Sequence, residues 1–216
     1  MGEPRLHVER EGAGPVVVLT HGLGDTADTW APIVPALAER FTVVRWDLRG
    51  HGRSDPADEY SRDAGVADLE RVVADDVPVH LVGHSLGGQL SLVLALRRPD
   101  AVRTLTLLAS GPGFRDPAAR AKWNEDAARV ARRFPIPEAA AGLVVQPDSW
   151  VIDTLPSLAV PLLHIVGGDD TRYHDGVAYI ARKVAGSAVV TIDGAAHHPQ
   201  RTHPDQVVAA LLTTLR

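Results

Sequence analysis

Seven short runs rich in Val, Leu and Ile recur along this chain: Leu6–Arg10, Val16–Thr20, Phe41–Asp47, Val79–Val82, Val102–Ala109, Leu162–Val166 and Ala188–Ile192. Most are continuously apolar rather than alternating, the pattern of parallel strands covered on both faces. Between them lie stretches of helical periodicity, Thr29–Glu39, Asp63–Ala74, Ser85–Arg97, Asp175–Ala185 and Asp205–Leu215. Strand–helix–strand repetition predicts an α/β fold, with a mostly parallel sheet of about seven strands and helices on both faces. In such sheets ligands gather at the carboxyl ends of the strands.

One segment breaks the rhythm. From Gly111 to Pro161 there is no strand candidate, only Pro-punctuated helical stretches at Pro117–Arg133, Pro137–Val145 and Asp148–Leu155. About fifty residues is too long for a plain connection. We therefore expect residues 1–110 and 162–216 to form one core, with residues 111–161 as a helical cap inserted into it.

Composition narrows the chemistry. The chain has 216 residues, enough to bury a core without a covalent or metal staple, and it has no cysteine. Thiol nucleophiles, Cys-ligated zinc and iron–sulfur clusters are thereby excluded. The net charge is −5, and no basic block exceeds the pair Arg132–Arg133, so nucleic acid is not an expected partner. No run reaches the ~18 apolar residues of a membrane span, and Met1–Arg10 carries no basic start followed by an apolar segment. The default expectation is a cytoplasmic protein with no membrane partner.

The residues with reactive potential cluster just after strand candidates. Gly83-His84-Ser85-Leu86-Gly87 follows Val79–Val82 and opens a helix. In a G-x-S-x-G sequence on a strand-to-helix turn, the small residues let the backbone pinch and lift the serine hydroxyl above the sheet edge. The helix start beneath offers unpaired N–H groups to a developing oxyanion. A serine needs a base within reach and a carboxylate to orient that base. Leu162–Val166 runs into Gly167-Gly168-Asp169-Asp170, and Ala188–Ile192 leads into Asp193-Gly194-Ala195-Ala196-His197-His198-Pro199. Three loops thus supply Ser, acid and His in chain order. Without that context, Ser85 would read as a helix N-cap.

Taken together, His21-Gly22-Leu23-Gly24 followed by Trp30, Asp47-Leu48-Arg49-Gly50-His51-Gly52-Arg53-Ser54-Asp55, Gly83-His84-Ser85-Leu86-Gly87-Gly88, Gly167-Gly168-Asp169-Asp170 and Ala196-His197-His198-Pro199 resemble the motif series of the α/β-hydrolase superfamily. The resemblance spans most of the chain outside residues 111–161. It implies Ser85 as nucleophile, His197 as general base and acid, and Asp170 as the orienting acid. The backbone amides of Leu23 and Leu86 would form the oxyanion hole. Members of the family usually begin with an additional strand or hairpin, so the resemblance also implies a sheet one strand short.

Several residues carry competing readings. Asp169 competes with Asp170, and register favours Asp170, leaving Asp169 as a turn residue. His198 and His203 compete with His197, and the Ala-Ala-His position fits the family pattern better. His21, His51 and His84 are dispersed, without His-x-His or H-E-x-x-H spacing, so neither a catalytic metal nor a cofactor is expected. The resemblance implies that the Asp47–Asp55 stretch is a loop bracing the floor of the site. Leu23, His84, Phe114, Trp123, Leu143 and Trp150 are the candidate substrate-binding residues, since ligand sites are walled by apolar and aromatic groups.

The expected activity is cofactor-independent hydrolysis of a small to medium carboxylic ester or lactone through an acyl-enzyme. The same triad could serve carbon–carbon bond hydrolysis, amide hydrolysis or peracid formation. A small-ligand receptor on the same fold is the reading from another class. The partner in the first case is a small-molecule ester or lactone.

Overall fold

The computed structural model describes residues 3–215; residues 1, 2 and 216 at the two ends of the expected core lie outside the described residues. A seven-stranded sheet forms from β1 (Val8–Glu11), β2 (Val16–Thr20), β3 (Thr42–Trp46), β4 (Val79–His84), β5 (Val102–Leu108), β6 (Leu162–Gly167) and β7 (Ala188–Ile192). Its order is β1-β3-β2-β4-β5-β6-β7. Only β1 runs antiparallel to its neighbour.

The continuous apolar runs have a direct cause. Along β2, Val17 and Leu19 enter one hydrophobic cluster and Val18 the other, so successive side chains are buried on opposite faces. On one face Ile33 and Leu37, from α1 (Val34–Ala38) and the residue before it, pack with Val207 and Leu211 of α8 (Pro204–Thr214). On the other, α2 (Arg62–Val73) and α3 (Leu86–Arg97) bring Val66, Leu69, Leu90 and Leu94. The edge strand β1 is different: it reads Val-Glu-Arg-Glu, and Glu9 lies opposite Arg45 of β3 and pairs with it at 2.7 Å. Charges on an edge strand discourage further strand addition.

The helices depart from expectation where proline intervenes. Thr29–Glu39 is not one helix. A 3-10 turn at Ala27–Trp30 stops before Pro32, and α1 restarts only at Val34, because each proline lacks an N–H and crowds the preceding turn. The expected helix Asp175–Ala185 begins earlier, as α6 (Thr171–Lys183), immediately after Asp170. A short α7 (Pro199–Thr202), absent from the sequence reading, follows His198 with proline at its first position.

Between β5 and β6 lie α4 (Pro117–Ala131), a 3-10 turn at Glu138–Leu143 in place of the expected helix Pro137–Val145, and α5 (Trp150–Thr154). Arg62 of α2 reaches this segment in a two-pronged ion pair with Asp148, at 2.9 and 3.1 Å. Asn124 of α4 exchanges two hydrogen bonds with the backbone of Gln146, at 3.1 and 2.9 Å. Among the described residues no helix is long and apolar enough to cross a membrane.

Candidate active site

A single residue, Ser85, links β4 to α3, and its backbone sits at φ 52°, ψ −112°. A non-glycine residue held there costs about 1–3 kcal/mol, which the surroundings must supply. They do so through the backbone. The Ser85 amide donates to the Leu108 carbonyl at 2.8 Å, and the Ser85 carbonyl accepts from Ser110 Oγ at 2.9 Å and from the Gln89 amide at 3.1 Å. Glycine is required on both sides: a Cβ at Gly83 would strike the Gly87 carbonyl, and one at Gly87 would strike the Thr20 carbonyl of β2.

His197 and Asp170 come from the loops after β7 and β6. His197 Nδ1–H donates to Asp170 Oδ2 at 2.8 Å, leaving Nε2 as the free nitrogen. Asp169 is turned elsewhere, its amide donating to the Ala195 carbonyl. His198 caps α7, and His203 meets its neighbour Thr202. Tyr173 of α6 stacks on the His197 ring, with centroids 4.9 Å apart and planes 22° off parallel. Burial raises the Tyr173 phenol above its usual range, and its hydroxyl interacts with the Ser85 side chain.

The floor is braced by polar groups of the 21–55 region. His21 is fully buried; its Nε2 accepts from the Leu48 amide at 3.0 Å and its Nδ1–H donates to the Gly22 carbonyl at 2.7 Å. Since a backbone amide can only donate, the ring is the neutral Nδ1–H tautomer, in keeping with burial lowering its pKa. Asp47 accepts from the amides of Ala27 at 2.7 Å and Arg53 at 2.9 Å. His51 Nδ1–H donates to the Arg49 carbonyl at 3.0 Å, its Nε2 is without a partner, and burial lowers its pKa to about 4.

Two cavities flank Ser85. One, of about 540 Å³, is walled by Leu86, Phe114, Trp123, Ile152 and Tyr179. The other, of about 480 Å³, holds Gly22, Leu23, His84, Phe134, Asp170 and His197. Ser85, Trp123, Arg172 and Tyr173 line both, and the Arg172 guanidinium lies 4.9 Å over the Trp123 ring. As the first residue of α3, Leu86 has an amide with no intrahelical acceptor. Leu23 occupies the turn closed by the Asp25 amide donating to the Gly22 carbonyl.

Of the six candidate substrate-binding residues, Leu23, His84, Phe114 and Trp123 line these cavities. Leu143 and Trp150, expected among them, do not. Leu143 is fully buried beside Leu90, where Gly65 leaves room for it, so it plugs the inserted segment into the core. Trp150 packs on the same core under the Arg97 guanidinium, 5.4 Å from its ring. Tyr173 and Arg172 were missed because the helix was expected to start beyond them. Their signal was adjacency: both lie within three residues of Asp170.

His84 Nε2–H donates to the His197 carbonyl at 2.8 Å, while its Nδ1 is buried without a partner. Among the described residues, the side chains able to gather round a metal ion are Asp25, His84 and His198, with ligand atoms within 4.8 Å of one another.

A family model for the alpha/beta hydrolase fold matches residues 15–142, and the chain belongs to that family. It is 43% identical over 109 residues to an uncharacterised protein of Mycobacterium bovis, an alignment covering 49% of this chain and 32% of that protein. The chain thus spans about a third of that relative. It is 31% identical to a pimeloyl-[acyl-carrier protein] methyl ester esterase of Aeromonas hydrophila, over 94% of this chain and 96% of the esterase. The crystal structure of a hydrolase from Pseudomonas aeruginosa superposes with a TM-score of 0.85 at 26% identity, covering 98% of this chain and 94% of that one.

Proposed function

We propose that the protein is a cofactor-independent serine hydrolase that cleaves a small to medium carboxylic ester through an acyl-enzyme. Ser85 attacks the carbonyl and gives its proton to His197 Nε2. Asp170 holds the imidazole in the tautomer that frees Nε2 and stabilises the imidazolium that forms. The amides of Leu23 and Leu86 receive the tetrahedral oxyanion; losing one such donor costs about 3 kcal/mol of transition-state stabilisation. Protonated His197 then protonates the leaving alcohol, and water repeats the sequence on the acyl-enzyme.

The observation that carries this reading is the 2.8 Å contact of His197 with Asp170 at the mouth of a cavity that Ser85 also lines. The two apolar-walled cavities suit the two halves of an ester, one on each side of the reacting carbonyl. Residues 111–161, as a cap, supply Phe114, Trp123 and Ile152 to those walls. The name of the Aeromonas hydrophila relative, a methyl ester esterase, supports ester over amide cleavage.

The test is Ser85→Ala with p-nitrophenyl butyrate. Turnover should fall by about a thousandfold or more, with the circular-dichroism spectrum unchanged. A fluorophosphonate probe should label the wild type and not the variant. Undiminished turnover in the variant would sink the assignment, and an unlabelled wild type would favour a ligand receptor.

A further inference from the structure

We propose a zinc site formed by Asp25 Oδ2, His84 Nδ1 and His198 Nε2, through which a bound Zn²⁺ reversibly inhibits the adjacent Ser85 centre. One ligand atom from each of these three residues lies within 4.8 Å of the other two, and Asp25 Oδ2 and His84 Nδ1 are buried without any hydrogen-bond partner. His198 Nε2 stands 3.7 Å from Asp25 Oδ2. Asp25 Oδ2 and His84 Nδ1 are both acceptors: the carboxylate has no proton, and the ring spends its proton on the other nitrogen. Two buried acceptors without partners on neighbouring side chains, with a second imidazole beside them, call for a cation.

Each ligand is also held from behind, as metal ligands usually are. His84 Nε2–H is anchored on the His197 carbonyl, which fixes the ring and leaves Nδ1 forward. Asp25 Oδ1 is occupied by the Thr26 amide at 3.0 Å and by the Arg201 guanidinium, which leaves Oδ2 free. Position 22 contributes by having no side chain, for a Cβ there would lie 2.9 Å from His84 Nδ1. Two imidazoles and one carboxylate with a fourth position open to water make a tetrahedral set suited to Zn²⁺ rather than to the harder Mg²⁺ or Ca²⁺. Tetrahedral bonds of about 2.0–2.1 Å require ligand atoms about 3.4 Å apart, so the widest edge must contract by about 1.4 Å. His198 is half-buried and can supply that movement. The Arg201 charge limits the affinity.

The consequence for chemistry follows from proximity. The His197 ring centroid is 4.8 Å from that of His84 and 5.2 Å from that of His198. Asp25, His84 and His198 line the same cavity as Ser85 and His197, so an ion held there, with water on its fourth position, takes up space that the substrate needs. Inhibition therefore rests on the hydrolase reading, whereas binding does not.

Binding is measured first, by competing the metal-stripped protein against a chromophoric chelator for Zn²⁺, and by the visible absorption of bound Co²⁺. We expect one ion per chain with the intense bands of four-coordinate Co²⁺, and affinity weakened about tenfold or more in both Asp25→Asn and His198→Ala. Melting curves in chelator establish that each variant is folded, and His198→Gln provides a second substitution at the rim. Ester turnover of the wild type should fall in step with Zn²⁺ occupancy and recover on chelation. No saturable binding, or wild-type affinity and spectra in both variants, overturns the site. Binding that leaves turnover untouched overturns the inhibitory role.

Discussion

The carboxyl edge of the sheet and the segment from Gly111 to Pro161 face each other across the same cavities, yet they are built by different means. At the sheet edge, backbone geometry does the positioning: Ser85 is held at φ 52° by main-chain hydrogen bonds and by two glycines whose missing Cβ atoms let α3 close on β2 and β4. Across the cavities, side chains do it. The segment is tied to the core by Arg62–Asp148, by Leu143 and by the Asn124–Gln146 exchange. The difference separates a backbone-held centre, proposed for the reaction, from side-chain-held walls, proposed to select the substrate.

The sharpest way to break this comparison is to attack the core's own ion pair. Arg49 donates to both oxygens of Asp68 at 2.6 and 2.8 Å, and the Asp68 side chain is 1% exposed. Arg49→Ala leaves that carboxylate with only the part-exposed Arg71 and should cost about 3–5 kcal/mol in denaturant unfolding. A loss under 1 kcal/mol would mean that the floor of the site is not held as rigidly as its burial implies.

A second core prediction concerns acid. His164 of β6 is buried, and burial lowers its pKa to about 4 against the opposing effect of the Ser110 backbone. The native state keeps it neutral while the unfolded chain takes up a proton below about pH 6.5, so its contribution is complete above that pH and is lost as pH falls toward 4. At pH 5 the loss is about 2 kcal/mol from this residue. His164→Leu should remove that share of the decline between about pH 7 and pH 5, read as the change in urea midpoint. An unchanged pH slope in the variant would contradict it.

How much of this was readable beforehand follows the same division. The strands were legible because Val17, Val18 and Leu19 are buried alternately on two faces, which writes continuous apolar runs into the sequence. Ser85 was legible because its turn needs glycine at fixed local offsets. Choosing Asp170 over Asp169 depended on motif register, and the 2.8 Å contact to His197 falls on Asp170. Legibility failed wherever a residue's neighbours came from afar. Leu143 and Trp150 look like cavity aromatics and aliphatics in a cap, yet Gly65, Leu90 and Arg97 claim them for the core. Asp25, His84 and His198 belong to three different loops, so no spacing could announce them.

The two tryptophans of the inserted segment sharpen the contrast further. Trp123 lines both cavities, so Trp123→Ala should raise KM for p-nitrophenyl butyrate about tenfold, which is about 1.4 kcal/mol of lost binding, with little change in kcat. Trp150→Ala should instead lower stability by about 1–2 kcal/mol and leave kcat/KM within about twofold, because its ring lies against the core. Reversed effects would put the substrate wall where the packing is now assigned.

The smallest expected effect probes the tie between the two regions. Arg62 is nearly buried on α2, but its partner Asp148 is half-exposed, with side-chain accessibilities of 7% and 49%. The hydrogen bonds from Arg62 hold the Asp148 carboxyl below its usual pKa. Solvent screening at the exposed end keeps the pair near about 1 kcal/mol. Arg62→Ala should therefore leave the sheet's amide protection intact while hydrogen exchange quickens across residues 144–154, and Asp148→Asn should do the same. If exchange instead quickened equally in β4 and β6, the inserted segment and the core would open as one unit, and the division between a backbone-held centre and a side-chain-held wall would have to be abandoned.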